Sequence, residues 1–237
     1  MKIADCIIDL SRGDCGKGKI THNLAKNYDI VSRFCGSQNA GHCIMHNGEK
    51  YVTHIIPAGV FYDKLSIIGP LCYFNVKSLW QEVDELESRG INVRSNLKIA
   101  YNAHIIGNEH IIEEQNETAI GTTKRGVGPC ARDKFSRKGK RAEDILELQE
   151  YLVDTVELFN DTKYGSILFE GAQGYYLSVD SKDYPYVTCS DTTLGSVIAS
   201  GVSPFSIRNI YGVCKAYDTY VGSHTFEPQN TSDSLLF

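Results

Sequence analysis

The stretch Ser11-Arg12-Gly13-Asp14-Cys15-Gly16-Lys17-Gly18-Lys19 constrains this chain most. It follows an apolar run of strand length, Ile3 to Leu10, and precedes residues 20–26, where Ile20 and Leu24 stand at helical spacing. Glycines let a backbone turn left-handed and come close to a ligand. A strand, a glycine loop and a helix in that order aim backbone N–H groups and a helix N-terminus at a phosphate. Gly13, four residues, Gly18 and Lys19 match the G-x-x-x-x-G-K spacing of a phosphate-binding loop. The next residue is Ile20, where such loops carry a Ser or Thr for magnesium. The magnesium ligand then comes from elsewhere, or the motif is a different one. Asp14 is the candidate, because a carboxylate is a hard oxygen donor. A plain strand–helix turn is the alternative reading.

The remaining pattern alternates. Strands are expected at 30–35, 51–56, 66–68, 98–101, 166–169 and 209–217, and helices at 76–88 and 142–159. In the first helix Leu79, Val83 and Leu86 share a face and Gly90 stands at the C-terminal cap position. Residues 116–141 are polar, basic and glycine-rich and read as loop. This alternation predicts an α/β fold with a mostly parallel central sheet flanked by helices, similar to P-loop NTPases, with ligands at the carboxyl ends of strands. No repeat, low-complexity stretch or linker divides the chain, so residues 1–237 are expected to form a single nucleotide-binding and catalytic domain.

Bulk properties exclude several classes. A net charge of −5 provides no basic field for nucleic acid. No apolar run approaches the ~20 residues that span a bilayer. An acid, Asp5, falls where a secretory leader would be apolar, so no leader is expected. The eight cysteines contain no C-x-x-C pair, which argues against zinc and for reduced thiols in a cytoplasmic protein.

Further candidates lie in three loops. His42 closes the loop 36–42 after the second strand, where it could donate a proton or hydrogen bond to developing negative charge, or serve structure alone. His22, His46, His54, His104, His110 and His224 show no partner in the sequence and are assigned to structure. Thr122 and Thr123 sit among glycines in a segment suited to closing over a phosphate. Gln173, between glycines past a buried strand, can both donate and accept, which suits a base edge. The Thr188 hydroxyl could bind phosphate oxygens.

Taken together, these stretches resemble the adenylosuccinate synthetase family. The matching blocks run in family order: 13–19, Asn39-Ala40-Gly41-His42, Asn47-Gly48-Glu49-Lys50, 120–129, Glu170-Gly171-Ala172-Gln173-Gly174, Tyr184-Pro185-Tyr186-Val187-Thr188 and Lys215-Ala216-Tyr217. The resemblance implies a ligase that joins L-aspartate to IMP with GTP and Mg2+. It implies that Asp14 is the general base at N1 of the purine and a magnesium ligand, and that His42 is an acid that steadies the transferring phosphoryl group. The Gly41 carbonyl would be a second magnesium ligand. Gly16, Lys17, Gly18 and Lys19 would cradle the triphosphate. Gly13, Cys15, Asn39, Thr122, Thr123, Arg137, Gln173 and Thr188 would be further nucleotide-binding positions. Arg137 would reach the neighbouring subunit's site in a homodimer.

The chain also departs from the family pattern. It stops well short of the family's length, and it holds no T-K-L-D-like guanine motif and no arginine-rich aspartate loop. Tyr220 replaces the family's arginine after Lys-Ala-Tyr-x-Thr, and Ser223-His224-Thr225-Phe226 replaces Gly-Pro-Phe-Pro. The short stretch between Arg141 and Ser166 is similar to archaeal members and to viral relatives that use dGMP, with ATP as donor, to make 2-aminoadenylosuccinate. In some of those relatives a small residue replaces the base aspartate. Asp14 is kept here, which favours IMP. A nucleotide-binding protein without ligase activity is the reading from a different class.

Overall fold

The computed structural model describes residues 2–118, 120–217 and 219–220. The strands are β1 (Ile3–Asp9), β2 (Ile30–Arg33), β3 (Gly36–Ser37), β4 (His42–His46), β5 (Glu49–Thr53), β6 (Leu65–Ile68), β7 (Cys72–Phe74), β8 (Leu97–Ala100), β9 (His104–Ile105), β10 (Leu152–Val153), β11 (Ser166–Glu170) and β12 (Ile207–Val213). The α-helices are α1 (Lys17–Ala25), α2 (Val76–Ser88), α3 (Asn108–Gln115), α4 (Val127–Phe135), α5 (Thr155–Asn160) and α6 (Leu194–Ala199).

Seven strands form one sheet in the order β10-β8-β6-β2-β11-β1-β12, and every neighbouring pair is parallel. Both faces are covered. On one face Ala4, Cys6 and Ile8 of β1 pack with Phe34, Phe159, Phe169 and Val197. On the other, Ile7 packs with Ala25, Tyr28, Val31 and Leu168. A strand buried on both faces reads as a continuous apolar run, which is why β1 was visible in the sequence. The expected mixed α/β fold with a mostly parallel central sheet is therefore observed.

Several elements differ from the expectation. Helix α1 begins at Lys17 and buries Thr21, His22 and Ala25, while Ile20 is exposed. The expected helix 142–159 is broken into two 3₁₀ turns, the short strand β10 and α5. Asp154 interrupts it by accepting the N–H groups of Val156 and Glu157 and starting a new helix. The expected loop 116–141 contains α4, which opens on Gly126 in the left-handed region (φ 80°) and tolerates Pro129 in its first turn. The expected strand at 51–56 is β5, antiparallel to β4. Asn47 and Gly48, at φ 49° and 84°, join the two as a tight hairpin turn. The last strand ends at Val213 rather than Tyr217. Residues 223–226 lie outside the described residues.

Candidate active site

Strands β2, β11 and β1 are neighbours, so the segments that leave their carboxyl ends emerge side by side. These segments are the glycine loop after β1, the 34–41 loop after β2 and the 171–174 turn after β11. Ligands of open parallel sheets sit at this edge. Here the segments wall a cavity of about 740 Å³ that residues 120–123 and 186–189 help close. Every candidate residue from the sequence lines it except Cys15 and Arg137. The Cys15 side chain is buried under the loop, with Sγ 3.5 Å from the Gly13 carbonyl. Arg137 (φ 62°) lines a separate cavity of about 470 Å³ with Lys134, Arg141 and His104.

The glycine loop wraps a carboxylate of its own chain. Asp9, at the end of β1, is 2% exposed. It accepts hydrogen bonds from the N–H groups of Ser11 (2.9 Å), Gly13 (3.2 Å) and Cys15 (3.2 Å), and from Lys17 Nζ (2.8 Å). Burial pushes its carboxyl up, but the Lys17 ammonium and these donors outweigh that and hold it below the usual range. Gly13, Asp14 and Gly16 at φ 95°, 58° and 88° produce the wrap. The two lysines expected to act together are thereby divided. Lys17 turns inward, whereas Lys19 is exposed. The N–H groups of Gly16, Lys17 and Gly18, which have no intrahelical acceptor, donate to no group among the described residues.

His42 is buried (5% exposed) against an ionic pair. The sheet register sets Glu170 of β11 beside Arg33 of β2. Both side chains are fully buried, with Arg33 Nη1 3.4 Å from Glu170 Oε1. Glu170 Oε1 lies 2.5 Å from His42 Nδ1, and Oε2 accepts the Ala58 N–H. Burial pushes the Glu170 carboxyl up, but the bond to His42, the Arg33 charge and the Ala58 N–H hold it down, so it stays ionised. Burial, with the Arg33 charge beside it, holds the imidazole below its ordinary value against the pull of Glu170. The acceptor at Nδ1 assigns the proton to that nitrogen. Nε2 then has no partner among the described residues. Gly18 is required for this approach, because a Cβ there would lie 2.6 Å from the His42 Cβ.

Gln173 (φ 50°) donates from Nε2 to Asn39 Oδ1 at 2.8 Å, and its buried Oε1 has no partner among the described residues. Non-glycine residues in the left-handed region cost energy, and Asp14 and Gln173 place two of them at one cavity. Across the cavity Glu114 accepts the N–H groups of Gly126 (2.6 Å) and Gly128 (3.2 Å), which ties the threonine-bearing segment and the start of α4 to α3. Asp14 is exposed at the cavity and bonds to no described residue. The described residues contain no group of three or more His, Cys, Asp or Glu that could hold a metal. A single hard carboxylate, Asp14, on the cavity that Gly41 also lines suits magnesium, which takes most of its ligands from phosphates and water.

Sequence reading missed Asp9, Arg33, Glu170 and Glu114 as site residues. Arg33 and Glu170 did carry a signal, each being a charge that ends a short apolar strand. Glu114 carried none, because its partners lie 12 and 14 residues away along the chain. Among the remaining histidines, His22 and His46 bond each other at 3.0 Å, His54 Nδ1 meets the Ala40 carbonyl at 2.7 Å, and His110 Nε2 lies 3.3 Å from Asp133. These are partners the sequence did not reveal; His224 lies outside the described residues.

The family model for adenylosuccinate synthetase matches residues 6–156 and 146–235. The adenylosuccinate synthetase of Lysinibacillus sphaericus (strain C3-41) is 37% identical over 93% of this chain and 63% of its own length. That of Geobacillus sp. (strain WCH70) is 37% identical over 97% of this chain and 65% of its own length. Among solved structures, the fully ligated adenylosuccinate synthetase from Plasmodium falciparum superposes with a TM-score of 0.83, at 32% identity, over 94% of this chain and 64% of that one. Cyanophage S-2L succinoaminodeoxyadenylate synthetase, bound to dGMP and dATP, gives 0.74 at 27% identity over 90% and 64%. The chain thus spans slightly under two thirds of the relatives it matches. With five of the seven sequence blocks lining one cavity, and with this extent of identity, the chain belongs to the adenylosuccinate synthetase family.

Proposed function

We propose that this chain carries the nucleotide-binding and catalytic domain of a ligase that joins L-aspartate to C6 of IMP with GTP, in purine nucleotide synthesis. The observation that carries the reading is the buried Arg33–Glu170–His42 array, which fixes through Nδ1 an imidazole that lines the same cavity as the glycine loop and Asp14. Asp14 takes the N1 proton of the purine, which builds negative charge on O6. O6 attacks the γ-phosphorus and the diphosphate leaves. The amine of L-aspartate then displaces phosphate from C6 and loses a proton. In the free protein His42 is neutral. An arriving polyanion raises its proton affinity, so it takes a proton on Nε2 and donates it to the moving phosphoryl group. The N–H groups at the start of α1, with Lys19, hold phosphate oxygens. Gln173 meets the base edge, and Thr122, Thr123, Thr188 and Asn39 contact the nucleotides. The Asp14 carboxylate and the Gly41 carbonyl would hold Mg2+, which would supply neutralising charge for the phosphates.

Arg137 serves the neighbouring subunit of a homodimer. Its exposure and its place outside the main cavity support this. The setting is cytoplasmic, and no helix among the described residues is long and apolar enough to cross a membrane.

The test supplies the purified chain with L-aspartate and Mg2+, crosses IMP or dGMP with GTP or ATP, and assays the succinylated nucleotide by mass spectrometry. Product from IMP supports the reading. Product from dGMP alone moves the chain to the reaction named for its cyanophage neighbour. Nucleotide binding without product from any pair overturns the assignment of catalysis to this chain.

A further inference from the structure

The glycine loop presents two sets of N–H groups, and only one of them is available to a ligand. Ser11, Gly13 and Cys15 point inward at Asp9, and Gly16, Lys17 and Gly18 point at nothing within the described residues. Alternate residues of the loop thus close on a carboxylate from their own chain, as such a concavity would close on an anion. Lys17 completes the shell. Its ammonium is 2.8 Å from Asp9 Oδ2, its side chain is 4% exposed and that of Asp9 is fully buried, so the two charges cancel beneath the loop.

We propose that Asp9 is a positioning residue of the nucleotide site, a resident stand-in for phosphate that presets the loop, and that Lys17 acts through Asp9 rather than on the ligand. This rests on the reading of the cavity as a polyphosphate site. The loop needs three left-handed residues among four, at Gly13, Asp14 and Gly16. Such backbone persists only where its surroundings over-determine it. Four donors converging on one carboxylate supply that. With the inner groups satisfied, residues 16–18 are left aligned at the N-terminus of α1, and Asp14, which is bonded to neither, stands at the cavity edge. Both functional features of the loop depend on a residue outside the G-x-x-x-x-G-K pattern.

A double-mutant cycle tests the proposal. The variants are Asp9→Asn, Lys17→Met and the pair together, titrated with Mg·GTP and with inorganic triphosphate, which has no base to read. The near-isosteric amide turns a donor toward the Cys15 N–H and the Lys17 ammonium. Losing one charged hydrogen-bond partner should weaken binding roughly ten- to a hundredfold. Each single variant is expected to show that loss, and the double variant to be no worse than the weaker single. If Lys17→Met costs as much in the Asp9→Asn background as in the native one, Lys17 is a direct phosphate ligand and the proposal falls. Native affinity in Asp9→Asn also sinks it.

Amide exchange provides a readout that needs no ligand. The Gly13 and Cys15 amides should be protected in the native chain and exchange at least tenfold faster in Asp9→Asn, while β2 and β11 stay protected. Equal exchange in both proteins overturns the proposal. If the native chain binds neither GTP nor triphosphate, the polyphosphate reading fails, and exchange alone still decides whether Asp9 sets the loop.

Discussion

His42 owes its orientation to two residues that touch no ligand cavity themselves, Arg33 and Glu170. Buried ion pairs punish the loss of one partner, because the other charge is left without compensation. Glu170→Gln is therefore expected to cost about 3–5 kcal/mol in urea denaturation. In the proposed ligation it should also lower kcat far more than it raises KM for the purine nucleotide, since the imidazole would lose its fixed tautomer. Gly18→Ala places a methyl 2.6 Å from the His42 Cβ. Overpacking of this kind typically costs about 1–3 kcal/mol, measurable as a lower denaturation midpoint. At this scale the sequence was half legible. Asp14 stood out as a hard carboxylate inside a glycine loop, and His42 only through the resemblance of its block to the family. Asp9, with donors two, four, six and eight residues ahead, looked like the end of a strand.

Elements were legible where local signals agreed with tertiary ones. Helix α2 was read with its observed bounds because Leu79, Val83 and Leu86 are its core face and Asn75 caps it through the Ser78 N–H. Helix α1 misled because its buried face is polar in composition. His22 packs there against His46, Phe61 and Tyr62, and the sequence gives no hint of the hairpin that supplies His46. The 142–159 segment misled because its charged and apolar residues fit a helical period, while Asp154 and the pairing of Leu152 and Val153 with β8 cut it. Asp154→Ala removes the cap of α5 and is expected to destabilise the protein by about 0.5–2 kcal/mol, seen as a midpoint shift in denaturant. The β4–β5 hairpin was available to a closer reading, since Asn-Gly between short apolar runs is a strong hairpin signal.

The molecule as a whole has a predictable acid response. Burial, with the charges of Lys134 and Arg141, pushes His104 down to about 4, and His42 is lowered as well. Between about pH 6.5 and 4 the unfolded chain takes up a proton that the folded one refuses at His104, so stability is full above about 6.5 and falls as pH falls through that window. Asp9, Asp5 and Glu170 are held below the ordinary carboxylate range, so their contribution is lost only at lower pH. Urea midpoints measured at pH 7 and pH 5 should show the drop, and His104→Asn should show a smaller one. An equal drop in both proteins would remove His104 from this account. The order of strands in the sheet bears also on how the molecule is made. The first strand is flanked only by β11 and β12, whose residues lie some 160 to 200 positions later in the chain. At about 5–20 residues per second, a ribosome takes roughly ten to thirty seconds to deliver β11. Throughout that interval Ile3–Asp9 has no strand to pair with, so the segment that would grip phosphate is made long before it is held.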